Sequence, residues 1–131
     1  MSKSVLVIDD DEAVRKSISS AIEAPKYQVH TAKSGEQGIR MEQKTKYDLI
    51  FLDLRMPGLN GVETLRKLRK LDPGVPIYII ITAFHKEFLN QLGGAAASGL
   101  NFEVLNKSVG NEQLVLLTES VLEGPMGFRQ Q

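Results

Sequence analysis

Apolar residues fall along this chain in two alternating rhythms. Unbroken runs, Val5 to Ile8, Leu49 to Leu52 and Ile77 to Ile81, suit strands buried on both faces. Between them apolar residues recur at helical spacing: Ala13, Val14, Ile18, Ala21 and Ile22, then Ile39 and Met41, then Val62, Leu65, Leu68 and Leu71, and last Leu114, Leu117 and Val121. Asp10 or Asp11 is placed to cap the first helix, and Pro25 stops it. Tyr27, Val29 and Thr31 alternate with polar residues, as an edge strand does. Ser34-Gly35-Glu36-Gln37 is a capping-box pattern that opens the second helix. Met56 to Gly61 reads as a loop and Asp72-Pro73-Gly74 as a turn. A helix is expected from Phe84 to about Leu92, and Gly93, Gly94 and Gly99 then bracket an alanine patch that fits neither rhythm. Phe102 to Leu105 reads as the last strand, and the closing helix ends near Gly124-Pro125.

Five alternations of strand and helix joined by short connections predict an α/β fold, a doubly wound parallel sheet with helices on both faces. The order 2-1-3-4-5 would set the first and third strands side by side at the switch point. The 131 residues are expected to form a single domain with its core from about 4 to 123 and a short tail, 124–131.

Charge and composition remove several function classes. Sixteen basic and sixteen acidic side chains cancel, so nothing global draws the chain to nucleic acid or to an anionic membrane. The chain has no cysteine, which excludes disulfides, thiolate metal sites and cysteine nucleophiles, and agrees with a cytosolic setting. The first apolar stretch ends in three aspartates after four residues, unlike a signal peptide, and no stretch approaches a membrane span. A soluble protein is expected.

The chemistry lies at the strand ends. Val5 to Ile8 leads into Asp9, Asp10 and Asp11, Leu49 to Leu52 into Asp53, Ile77 to Ile81 into Thr82, and the last strand is followed closely by Lys107. In parallel sheets ligands sit outside the carboxyl ends of the strands, so these residues are expected to meet at one edge. Crowded carboxylates call for a cation, and Mg2+ commonly joins one or two of them to a phosphate. A carboxylate is also a nucleophile able to accept a phosphoryl group, with Lys107 and Thr82 available to stabilise its oxygens. Taken singly, the aspartates could be helix caps or turn residues, Thr82 a strand residue and Lys107 a solvated lysine. His30 and His85 lack metal-ligand spacing and receive no role.

Together the acidic pair Asp9-Asp10, the run Asp53-Leu54-Arg55-Met56-Pro57-Gly58 with Gly61 following, Thr82-Ala83 and Lys107 resemble the receiver domains of two-component response regulators, including the single-domain chemotaxis regulators. The resemblance covers Val5 to about Leu122 and implies a flavodoxin-like three-layer sandwich. It implies that Asp53 takes a phosphoryl group from a phosphohistidine of a sensor histidine kinase or histidine phosphotransfer protein. Asp10 matches a direct Mg2+ ligand and Asp9 one acting through water, with Asp53 and the backbone carbonyl of Arg55 completing the set. Thr82 matches the switch hydroxyl and Lys107 the lysine that pairs with the phosphoryl oxygens. An output partner or fused effector would dock on the fourth helix, fifth strand and fifth helix. Such a chain is a phosphoacceptor with self-phosphorylation and autodephosphorylation chemistry, not a turnover enzyme, and works in the cytoplasm.

Three features depart from that family. Ser108 stands where proline is usual; a cis bond before serine costs about 2.5–4 kcal/mol, so a trans bond is expected. Val104 replaces the switch aromatic, with Phe102 two positions earlier. The stretch from Thr82 to Lys107 is longer than usual and glycine-rich, which predicts a short, displaced or mobile fourth helix. Phe84, two residues after the threonine, is expected to shield an acyl phosphate from water, as Arg55 is expected to influence its lifetime. Two rival readings compete. One is a haloacid-dehalogenase-type phosphatase with Asp9 as nucleophile, although Glu12 and Ala13 replace the glycine and threonine that should follow. The other is a receiver-like module that signals by binding without phosphorylation.

Overall fold

A computed structural model of the chain describes residues 3–54, 61–81, 86–106 and 110–124. Strands and helices alternate throughout: β1 (Lys3–Ile8), α1 (Glu12–Ile22), β2 (Tyr27–Ala32), α2 (Gly35–Lys44), β3 (Leu49–Asp53), α3 (Gly61–Leu71), β4 (Ile77–Ile81), α4 (Lys86–Ala97), β5 (Glu103–Asn106) and α5 (Asn111–Glu123). The five strands form one sheet in the order β2-β1-β3-β4-β5, and every pair is parallel.

The apolar runs divide by parity, as a pleated strand requires. Leu6, Ile8, Ile50, Leu52, Ile77 and Ile79 face one way, into a core with Leu65 and Leu68 of α3 and Leu92 and Ala95 of α4. Val5, Val7, Leu49, Phe51 and Ile80 face the other way, onto Ile18 and Ile22 of α1 and Leu114 and Leu122 of α5. Helices therefore cover both faces, α2, α3 and α4 on one and α1 and α5 on the other. This is why β1 and β3 read as unbroken hydrophobic runs while the edge strand β2 alternates.

Caps set the helix limits. Asp11, not Asp10, caps α1 by accepting from the Ala13 N–H, and Ser34 caps α2 by accepting from Gln37 N–H at 3.1 Å. Two sequence expectations are corrected. The last strand begins at Glu103, and Phe102 stays outside it, half-buried against the α3/α4 side of the core. The fourth helix is not short: α4 runs regularly through Gly93 and Gly94 to Ala97. Burial of Leu92 and Ala95 holds this stretch helical, and tertiary packing outweighs the roughly 1 kcal/mol cost of each glycine. Gly99, at φ 92°, ends it in a Schellman turn, with Leu100 N–H donating to Ala95 O at 3.1 Å and Gly99 N–H to Ala96 O at 3.0 Å. The expectations for the Lys107-Ser108 bond and for Phe84 fall outside the described residues.

Candidate functional site

Parallel pairing puts the carboxyl ends of all five strands at one edge. Ile8 at the end of β1 lies opposite Leu52 of β3, so the next residues, Asp9 and Asp53, stand side by side. Asp10 follows on the outer side and is exposed. One carboxylate oxygen from each of Asp9, Asp10 and Asp53 lies within 4.8 Å of the other two. Asp9 is 1 % exposed and Asp53 6 %. Carboxylates this close and this far from water need positive charge to compensate them. An all-oxygen donor set with one member open to solvent suits Mg2+, which keeps several waters when bound.

The loop that carries Asp9 is held by its own backbone. Asp9 N–H donates to Ala32 O of β2 at 3.0 Å, which continues the sheet one residue past β1. Asp11 N–H donates to Asp9 Oδ1 at 2.9 Å, an Asx turn that leads into the Asp11 cap. Arg15 Nη1 donates to the Asp9 carbonyl oxygen at 2.7 Å. Glu12 is drawn below the usual carboxylate range by its hydrogen bond and 3.0 Å ion pair with Lys16, with Arg15 adding to the effect.

On the β3 side, Leu54 N–H donates to Ile80 O at 3.3 Å and Gly61 N–H to Leu54 O at 3.1 Å, which folds α3 back beneath Asp53. A side chain at Gly61 would put its Cβ 2.6 Å from Leu54 Cα and 2.8 Å from the Asp53 carbonyl oxygen, so this position accepts only glycine without backbone movement. The strands β4 and β5 end level, with Ile81 opposite Asn106. Thr82 and Lys107 follow them in sequence and, like Arg55, lie outside the described residues. The structure thus brings together the three acidic members of the expected site.

The model of the response regulator receiver domain family matches residues 5–119. The chain belongs to that family. Its receiver domain is 33 % identical over 119 residues to the transcriptional regulatory protein GlrR of Escherichia coli, covering 91 % of this chain and 26 % of GlrR. It is 37 % identical over 93 residues to the alkaline phosphatase synthesis transcriptional regulatory protein PhoP of Bacillus subtilis, covering 71 % of this chain and 38 % of PhoP. The chain therefore spans only a quarter to two-fifths of the length of these relatives. Among solved structures, the chemotaxis protein CheY4 of Vibrio cholerae is similar at 27 % identity and TM-score 0.78, covering 93 % of this chain and all of that one. A receiver domain from Methanospirillum hungatei shares the fold at TM-score 0.81 and 24 % identity, over 94 % of this chain and 95 % of its own.

The receiver domain carries two exposed apolar side chains on the side where an output partner is expected, Val104 of β5 at 47 % and Leu116 of α5 at 65 %. Phe102 packs inward against the core and does not take the position of a surface aromatic on β5. Among the described residues no helix is long and apolar enough to cross a membrane. Sequence reasoning missed Arg15. Its position one turn into α1 was the only available sign, and its contact is with a backbone atom that no residue pattern marks.

Proposed function

We propose that this receiver domain accepts a phosphoryl group on Asp53 from a phosphohistidine of a sensor histidine kinase or histidine phosphotransfer protein. The observation that carries the reading is the convergence of Asp9, Asp10 and Asp53, within 4.8 Å, at the carboxyl edge of a receiver fold. Asp9, Asp10, Asp53 and the Arg55 carbonyl are the group that would hold Mg2+. Bound there, Mg2+ neutralises the carboxylates and the oxygens of the incoming phosphoryl group. An Asp53 carboxylate oxygen attacks phosphorus, the phosphorus–nitrogen bond of the donor breaks, and the imidazole leaves with a proton. Lys107 and Thr82 pair with the oxygens of the resulting acyl phosphate.

Acquired charge at Asp53 then favours one of two arrangements of the α4–β5–α5 face, where a partner or fused effector docks. The much greater length of GlrR and PhoP supports an output segment joined to such a receiver domain. The domain is a phosphoacceptor that also loses its phosphoryl group, rather than a turnover enzyme. Asp9 is a poor rival nucleophile, because Glu12 and Ala13 stand where that type of phosphatase places a glycine and a threonine after its nucleophile.

Incubation with autophosphorylated sensor kinases and with acetyl phosphate, comparing the unaltered chain with Asp53→Ala, tests this. Mg2+-dependent labelling lost only in Asp53→Ala is expected. Trapping of the label on Asp9 would install the phosphatase reading, and no labelling together with no response to Mg2+ or beryllofluoride would leave a binding module.

A further inference from the structure

We propose that Arg15 is a positioning residue for the metal pocket, a clamp on the loop that carries the first two acids; this rests on the phosphoacceptor reading above. The Arg15 guanidinium donates to the Asp9 carbonyl oxygen at 2.7 Å, across six residues and from the first turns of α1. That carbonyl belongs to the peptide joining Asp9 to Asp10, so the contact sets the plane from which both acids project. Other tethers on this loop include Asp9 N–H to Ala32 O at 3.0 Å and Asp11 N–H to Asp9 Oδ1 at 2.9 Å. These two hold the amino side of Asp9 and its side chain. Arg15 holds the carbonyl side, ahead of the exposed Asp10.

Two neighbours free Arg15 for this task. Glu12, the acid in the first turn of α1, is ion-paired with Lys16 at 3.0 Å, so it does not take up the guanidinium. Arg15 is half-buried, where a charge-assisted hydrogen bond is stronger than one facing bulk water. The sign of the effect separates a clamp from a mere charge. As a charge alone, Arg15 would repel Mg2+, and its removal would tighten binding. As a clamp, its removal lets the Asp9-Asp10 peptide rotate and weakens binding.

Mg2+ titrations followed by amide NMR decide between these, on the unaltered chain, Arg15→Met, Arg15→Lys and the charge-matched control Lys33→Met, an exposed lysine just after β2. Loss of a residue that orients metal ligands from outside typically costs tenfold or more in affinity, and about a tenfold rise in Kd is expected for Arg15→Met. Lys33→Met should bind as tightly as the unaltered chain or more so, and Arg15→Lys should fall between. Phosphorylation by acetyl phosphate should return in Arg15→Met at saturating Mg2+, with only the half-saturating concentration moved, a split that general loss of structure would not produce. Arg15→Met binding Mg2+ as tightly as the unaltered chain, or more tightly, overturns the clamp and leaves the phosphoacceptor reading standing. Absence of Mg2+ binding in the unaltered chain overturns both.

Discussion

Glu42 carries a pH dependence whose direction and size follow from its surroundings. It shares with Gly35 and Gly38 the face of α2 that packs inward, and it is 5 % exposed. Its Oε2 accepts no hydrogen bond among the described residues. Burial, and then the negative charge of Asp72, lift its pKa to about 7, against the opposing pull of the Tyr47 backbone N–H and the Lys46 charge. Asp72 in turn sits 3.8 Å from Lys46 Nζ. A protonated Glu42 donates to Asp72, whereas an ionised one meets it as a second acceptor.

From 4.5, the ordinary glutamate value, to about 7, the folded chain retains a proton that the unfolded chain has released. Stability therefore falls as pH rises through that window and levels off above it. At about 1.4 kcal/mol for each pH unit, the interval sets a ceiling of about 3 kcal/mol. Glu42→Gln keeps the shape and always donates, so it should be about 1–2 kcal/mol more stable than the unaltered chain at pH 8. Near pH 4 the two should converge. Urea unfolding of both proteins at intervals from pH 4 to pH 8 measures the difference, in which all other titrations cancel. A difference that stays constant with pH would refute the reasoning.

Gly61→Ala should cost about 2–3 kcal/mol and impair labelling of Asp53, because its Cβ meets backbone atoms; Gly38→Ala meets only the Ile8 side chain, from 2.5 Å, and should cost less. Urea melts and acetyl phosphate labelling of the pair check this, and equal losses would refute it. The Tyr27 hydroxyl donates to Glu123, which also pairs with Lys26 at 2.8 Å, and burial with that carboxylate raises the Tyr27 pKa to about 12. The folded chain then keeps the phenol proton from pH 10 to about 12, so stability drops across that range, with Tyr47 and Tyr78, also raised by burial, adding to the fall. Tyr27→Phe should make this limb shallower while costing about 1 kcal/mol near neutrality. A limb as steep in Tyr27→Phe as in the unaltered chain, followed by circular dichroism, would count against it. Mg2+ at a hundredfold excess over its Kd should add about 2.7 kcal/mol to stability. In EDTA, Asp53→Asn should be more stable than the unaltered chain, since it removes one of three crowded charges, and should lose most of the Mg2+ response. Thermal melts that show no Mg2+ effect on the unaltered chain would contradict this.

Much of the architecture was legible because the physics behind it is local. A strand buried on both faces must be apolar at every position, and Val5 to Ile8 and Leu49 to Leu52 are. Capping needs a short acceptor at the helix start, which Ser34 and Asp11 supply. The alternation of elements with short links then confines the topology to a few doubly wound orders, and the order 2-1-3-4-5 sets Asp9 beside Asp53. Long-range balances were not legible. The fate of Gly93 and Gly94 depended on how deeply Leu92 and Ala95 pack, a property of α3 and the sheet more than of the helix itself. Phe102 has the apolar character of a strand residue, yet that same character draws it into the core beside the strand.

By itself the sequence determined the order and type of the elements, a parallel sheet covered on both faces, and the chemical identity of the groups at the strand ends. Only the tertiary structure decided that Arg15 grips the Asp9 carbonyl, that Gly61 lies against the backbone of Leu54, and that Glu42 is buried beside Asp72. The physical reason is range. Pleating, helical period and capping act within a few residues and leave a pattern, while the tethers and buried charges depend on distances between segments that meet only when the sheet and both helical layers have closed.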